Sequence, residues 1–201
     1  MEIAWGDSMS KKIRLVYGVG INDADYPVHK CENGKRVMCH YYRKWNGMLE
    51  RAYSDKYKQK NPTYQEVTVC EEWHSFMNFR SWMMQQDWKG KQLDKDILFE
   101  KNKIYSPNTC VFVDEVVNTF INDNAAARGQ WPIGVCWHKQ EQKFQGQCRN
   151  PFTKKYEHLG YFHCPDQAHL AWKARKHELA CQLANIQTDE RVAEALRIRY
   201  K

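Results

Sequence analysis

The stretch WPIGVCWHKQEQKFQGQCRNPFTKKYEHLGYFHC, residues 131–164, decides the fold. Three β-rich runs, 131–139, 143–150 and 156–164, are separated by a Gln/Glu junction and by the turn Asn-Pro-Phe-Thr-Lys-Lys, so the spacing predicts three antiparallel strands. A long helix is expected to begin near Pro165 and Asp166, carrying Ala168, Ala171, Trp172, Ala174, Leu179 and Leu183. Three strands backed by one helix make a two-layer unit over 131–184. Strand alternation then sends Val135, Phe144 and Cys148 toward the helix, with Cys136, His138, Lys143, Gln145, Gln147, Arg149, Tyr156 and His158 on the open face or its edges. Lys139, Lys154 and Lys155 fall at the turns. The segment holds eight basic and four acidic residues. An ordinary solvated sheet face has a similar composition. A sheet that enters a DNA groove needs Arg to read guanine, Gln to read adenine and Lys to meet phosphates. His138, Lys143, Gln145, Gln147, Arg149, Lys154, Lys155 and His158 are therefore the candidate nucleic-acid contacts.

Upstream, IRLVYGVG (13–20) is strand-like, and Gly18-Val19-Gly20 reads as a turn because a third glycine is missing and Pro27 follows. In 41–57, Trp45, Met48, Leu49, Ala52 and Tyr53 recur at helical spacing, and Asn61-Pro62 ends that pattern. A second helix is expected from about Glu71 to Asp87, with Trp73, Phe76, Met77, Arg80, Met83 and Met84 on one stripe. From Leu93 the order is strand (93–98), loop, strand (109–113) and helix (114–122), the helix capped by Asp114. Residues 122–130, NDNAAARGQ, read as a linker, and a final helix capped by Thr188 closes the chain. The expected class is α+β without parallel pairing, divided as 1–125, a linker at 126–130, a sheet unit at 131–184 and a helical tail at 185–201.

Over 201 residues, 42% hydrophobic and 27% charged content supplies a core and excludes a disordered chain. Thirty-one basic against twenty-four acidic residues give a net charge of +7, which admits a polyanionic partner. No apolar run suits a membrane span, mean hydropathy is −0.82, and the first twelve residues lack an apolar signal core. A cytoplasmic protein without a membrane partner is expected. The eight cysteines form no CxxC pair, so no structural zinc is expected and the thiols are read as free. The eight histidines include no HxxxH pair in the last unit, and none is assigned as a metal ligand.

Two stretches resemble known families. The C-terminal unit resembles the APETALA-type (ethylene-response-factor) DNA-binding domain, which also occurs in phage and mobile-element endonucleases. The resemblance rests on Gly134-Val135, on Lys143 to Arg149, on Leu159-Gly160-Tyr161-Phe162, and on Ala168 with Ala171-Trp172. The upstream part is similar to phage HNH homing-endonuclease-like proteins through Trp45 to Arg51, Val69 to Trp73, Leu93 to Leu98 and Asn102 to Cys110. The resemblance implies a ββα-metal nuclease fold joined to a DNA-docking sheet. Such nucleases use a first-strand histidine to take a proton from water near a divalent ion. Here no histidine lies between His74 and His138, and the matching place reads Asp94-Lys95-Asp96.

Two carboxylates two apart on a strand share one face and can hold Mg²⁺. Asp94 and Asp96 are therefore the candidate catalytic residues, and with Asn102 the candidate metal ligands. The plainer alternative is a solvated strand face with Lys95 opposite. Three functions remain open to the sequence: a double-stranded DNA-binding protein descended from a homing endonuclease whose standard nuclease centre has decayed, an active Mg²⁺-dependent endonuclease using Asp94 and Asp96, and a phage protein that binds a host or defence protein in the host cytoplasm.

Overall fold

In the computed structural model, which describes residues 14–122 and 129–201, the elements follow the chain as three groups. The first holds β1 (His29–Glu32), β2 (Lys35–Met38), α1 (His40–Tyr53), α2 (Asp55–Lys60), β3 (Thr68–Val69) and α3 (Phe76–Met84). The second holds β4 (Gln92–Asp94), β5 (Ile104–Tyr105), β6 (Val111–Val113) and α4 (Glu115–Ile121). The third holds β7 (Val135–His138), β8 (Lys143–Arg149), β9 (Tyr156–Phe162), α5 (Pro165–Ala184) and α6 (Glu190–Ile198). The chain forms two compact units, Met1–Gln86 with Lys103–Pro107, and Asp87–Asn102 with Asn108–Lys201. This division falls elsewhere than the expected one at 126–130. Residues 126–128 of that linker lie outside the described residues.

In the first unit, α1 buries Trp45, Met48, Leu49 and Ala52, as its periodicity predicts, together with Tyr42, while the expected Tyr53 is only partly buried. Trp73, Phe76, Phe79 and Met83 complete this core, and the Trp45 indole N–H donates to the Trp73 carbonyl at 2.7 Å. Gly18 to Gly20 forms the expected turn, with Val16 bridged to Gly20. A Cβ at Gly20 would collide with the Trp45 ring and Leu49, so only glycine lets the turn lie on α1. The helix expected from 71 to 87 is broken. Residues 71–74 form a 3₁₀ turn, and α3 begins only at Phe76. The physical cause is Ser75, whose extended backbone and Oγ cap Asn78 N–H at 3.1 Å while Asp23 bonds the Ser75 hydroxyl at 2.6 Å and Met77 N–H at 2.9 Å. One short parallel pair, β3 with β5, departs from the all-antiparallel expectation. Its long connection is what parallel pairing requires, and Thr68 N–H to Lys103 O (2.8 Å) and Cys70 N–H to Tyr105 O (2.9 Å) hold it.

The second unit is α+β, with the antiparallel sheet β7-β8-β9 packed on α5. β4 and β6 pair antiparallel and lead into α4. Val111, Val113, Val117 and Phe120 share one core with Leu179, Leu183, Val192 and Leu196, so β4, β6, α4 and the C-terminal helices are one folding unit. That shared core is the reason the division lies upstream of 93. On the sheet, Cys148 and Gly146 are buried toward α5, where Gly146 lies beneath the Ala168 carbonyl. Phe144 continues that face and packs edge-on against Trp131 and Trp137. Gly134 has φ +81° and lies against the Trp172 ring, leaving no room for a Cβ. The last helix is capped by Asp189, whose carboxylate accepts Arg191 N–H at 2.9 Å, one residue beyond the expected Thr188. Asp114 is the N-cap residue of α4, as expected, without a side-chain capping bond.

Candidate nucleic-acid interface and the Asp94–Asn102 loop

The register of the sheet brings the candidate side chains together in cross-strand rows. His138 lies opposite Lys143, Cys136 opposite Gln145, Gln145 opposite Tyr161, Gln147 opposite His158 and Arg149 opposite Tyr156. Directly opposed residues share a face, so all eight residues assigned to the open face by alternation lie on it. The Gln145 amide is 3.0 Å from His158 Nδ1, and the Cys136 thiol is 3.9 Å from Gln145 Oε1. Tyr161 stands between the rings of His138 and His158, at centroid distances of 5.0 and 4.7 Å. Simple alternation from His158 misses Tyr161. The register shifts between Gly146 and Gln147, and Gly160, at φ +120°, turns Tyr161 outward. The Leu-Gly pair in the strand was the available signal.

Lys154 and Lys155 ride on the turn between β8 and β9. Asn150 organises it: its Oδ1 accepts Phe152 N–H (2.8 Å) and Thr153 N–H (3.1 Å), and its backbone N–H reaches Lys155 O at 2.8 Å. Asn150 Nδ2 in turn donates to Glu157 at 2.7 Å, and Glu157 is held by Arg175 of α5 through Nε (2.7 Å) and Nη2 (3.1 Å). Hydrogen bonds from Arg175, then from Asn150, lower the Glu157 carboxyl from its ordinary 4.5 to about 2. The same pairing raises the Arg175 guanidinium. Beside Arg149, Lys154 and Tyr156 the sheet edge borders an open cleft of about 690 Å³ that Trp172, Lys176 and residues of α4 also line. Lys176 donates to Phe120 O at 2.7 Å and lies 3.5 Å from that ring's centroid.

Asp94 and Asp96 do not share a strand face, which corrects that expectation. β4 ends at Asp94, whose Oδ1 accepts the backbone N–H of Asp96 (2.8 Å) and Ile97 (2.7 Å) and thereby turns the chain. Burial pushes the Asp94 carboxyl pKa up, against the two N–H bonds that pull it down. Lys95 is buried rather than solvent-facing, because its Nζ collects both Asp96 carboxylate oxygens (2.7 Å each) and Asn102 O (2.9 Å). Asn102 Nδ2 returns a bond to Lys95 O at 2.9 Å, closing the 95–102 loop. Asn102 is thus near Lys95. Among the described residues no group of three or more His, Cys, Asp or Glu side chains is arranged to hold a metal ion. Nor is any helix among them long and apolar enough to cross a membrane.

No protein-family model, curated protein or solved structure matches this chain.

Proposed function

We propose that the chain binds double-stranded DNA through the open face of β7-β8-β9. One observation carries the reading. The sheet register aligns Lys143, Gln145, Gln147 and Arg149 along a single strand face, and Lys143 and Arg149 have no ion-pair partner among the described residues. Guanidinium and amide groups suit paired hydrogen bonds to base edges, and the turn cations Lys154 and Lys155 suit phosphates. We further propose descent from an HNH homing-endonuclease-like scaffold of phage type, on the sequence resemblance at Leu93 to Leu98 and Asn102 to Cys110. On this reading standard HNH hydrolysis is absent, since the matching strand offers Asp94-Lys95-Asp96 in place of a histidine and those groups bond one another. The test is to replace Lys143, Gln147 and Arg149 together with Ala, verify folding, and measure duplex affinity. A large loss is expected; unchanged affinity overturns the reading and favours a protein partner for this chain. Mg²⁺-dependent plasmid nicking abolished by Asp94→Ala with Asp96→Ala would restore the endonuclease reading.

A further inference from the structure

The cleft at the edge of the sheet exists because one strand stops short. β7 pairs with β8 only from Lys143 to Gly146, and one further bond, Gln147 N–H to Gly134 O at 2.8 Å, ends the ladder on that side. Cys148 and Arg149 pair with β9 alone. The uncovered end of β8 borders the cleft, whose volume of about 690 Å³ lies within the span of about 300–1,000 Å³ usual for small-molecule sites. Gln147, Arg149 and Tyr156 belong both to the open face and to the wall of this cleft. Among the described residues that line it, Arg149, Lys154 and Lys176 are set against one acid, Glu115. Lys176 is engaged by the Phe120 carbonyl. Arg149 and Lys154 form no ion pair, and the Gln147 amide no hydrogen bond, among the described residues. Lys154 is fixed in place, with φ at +59° and its N–H donating to Asn150 O at 2.9 Å. Tyr156 is 67% exposed, and its ring meets no other ring or cation among the described residues.

We infer that this cleft binds one nucleotide unit, with Arg149 and Lys154 on its phosphate and Tyr156 stacked on its base. A phosphate takes a guanidinium fork and an ammonium. A base offers an aromatic face, for which an exposed phenol ring is a stacking platform. Its edge carries donors and acceptors that a free amide such as Gln147 matches. An inorganic anion leaves Tyr156 unused, and an apolar ligand leaves the two cations unused. The same chemistry is offered by a free nucleotide and by an unpaired nucleotide in a strand on the sheet. The second source rests on the sheet binding DNA; the first does not.

The test titrates the full chain with deoxyadenosine 5′-monophosphate by calorimetry, beside deoxyadenosine and inorganic phosphate. The nucleotide should bind once per chain and more tightly than either of its parts. Arg149→Gln, Lys154→Gln and Tyr156→Ala should each weaken it about tenfold, whereas Tyr156→Phe keeps the ring and should bind as the wild type does. Lys139→Gln removes the same charge at the β7–β8 turn and should change nothing. All four positions are exposed, so the variants keep the fold. A second arm compares a fully paired duplex with the same duplex carrying one unpaired adenine nucleotide. Preference for the unpaired form, lost in Tyr156→Ala, assigns a nucleotide in a strand. Mononucleotide binding without that preference assigns a free nucleotide, and each supports the site. Neither binding nor preference overturns the proposal. So does affinity unchanged in Tyr156→Ala, or a loss in Lys139→Gln equal to that in Lys154→Gln. The two readings fail separately: a bound paired duplex with no nucleotide response removes the cleft alone, and the reverse removes duplex binding alone.

Discussion

Replacing Glu157 with Gln tests how the β8–β9 turn is held. Glu157 accepts three hydrogen bonds, two from the Arg175 guanidinium and one from Asn150, whose own carbonyl shapes the turn carrying Lys154 and Lys155. The substitution removes the charge and leaves a single acceptor oxygen for the same donors. Because the folded carboxyl titrates near 2 and the free one near 4.5, folding favours the ionised form. Its contribution is present above the unfolded value and is lost as pH falls from 4.5 through about 2. At about 1.4 kcal/mol per tenfold change in acidity, the full difference corresponds to roughly 3 kcal/mol. The side chains are 30% and 26% exposed, and solvent screening reduces this to roughly 1–2 kcal/mol. In urea this lowers the unfolding midpoint of Glu157→Gln by about 0.5–1 M near neutral pH, for an ordinary slope of about 2 kcal/mol per M. The gap between wild type and variant should narrow as pH falls below 4.5 and nearly vanish near 2. No gap near neutrality, or one that stays constant across that window, would refute the reasoning.

Five other outcomes follow. On the proposed DNA-binding reading, Arg149→Ala should cost about 1–3 kcal/mol of duplex binding and blur sequence preference, while Lys154→Ala should weaken all sequences evenly and reduce the salt slope by about 1, both read by titration at several salt concentrations. Gly134→Ala places a Cβ into the Trp172 ring at positive φ, so its thermal midpoint should drop by several degrees, for a loss of about 1–3 kcal/mol. Ser75→Ala removes the cap of α3 and the Asp23 bond and should lose about 1 kcal/mol in urea unfolding. Lys95→Met leaves Asp96 and the Asn102 carbonyl without their shared donor and should destabilise by about 1–3 kcal/mol, seen as a lower unfolding midpoint.

The elements that could be read from the sequence are those whose side-chain period matches their packing. α1 was legible because Trp45, Met48, Leu49 and Ala52 repeat at helical spacing and are fully buried. The three strands were legible because the turns between them interrupt alternating runs, and the open face followed from Cys148 being inside. What period cannot report is where a side chain competes with the backbone. Ser75 stops a helix whose apolar stripe continues through it, and Asp94 ends a strand whose pattern runs on to Leu98. The phase change at Gly160 is of the same kind, since one irregular residue moved Tyr161 to the opposite face. The division of the chain was hidden for another reason. Val113, Val117 and Phe120 look like a local strand–helix core, and only tertiary contact shows them packed with Leu179 and Leu196.

Residues 94–102 and the sheet face use the same chemical groups in opposite ways. In the loop the carboxylates, the ammonium and the amide are bonded to one another: Asp94 to backbone N–H groups, Lys95 to Asp96 and the Asn102 carbonyl, Asn102 to the Lys95 carbonyl. Each bond satisfies a group that burial would otherwise leave costly, so together they hold a loop in place. On the sheet the balance is reversed. Glu157 lies opposite Cys148 on the α5 side and is neutralised there by Arg175, so no acid from β9 reaches the open face. The cations on that face and its turn, Lys143, Arg149, Lys154 and Lys155, form no ion pair among the described residues. A sheet that sends its one strand carboxylate inward and its cations outward keeps a positive field over a polar surface, which is the electrostatic condition for attracting a polyanion before any base is read.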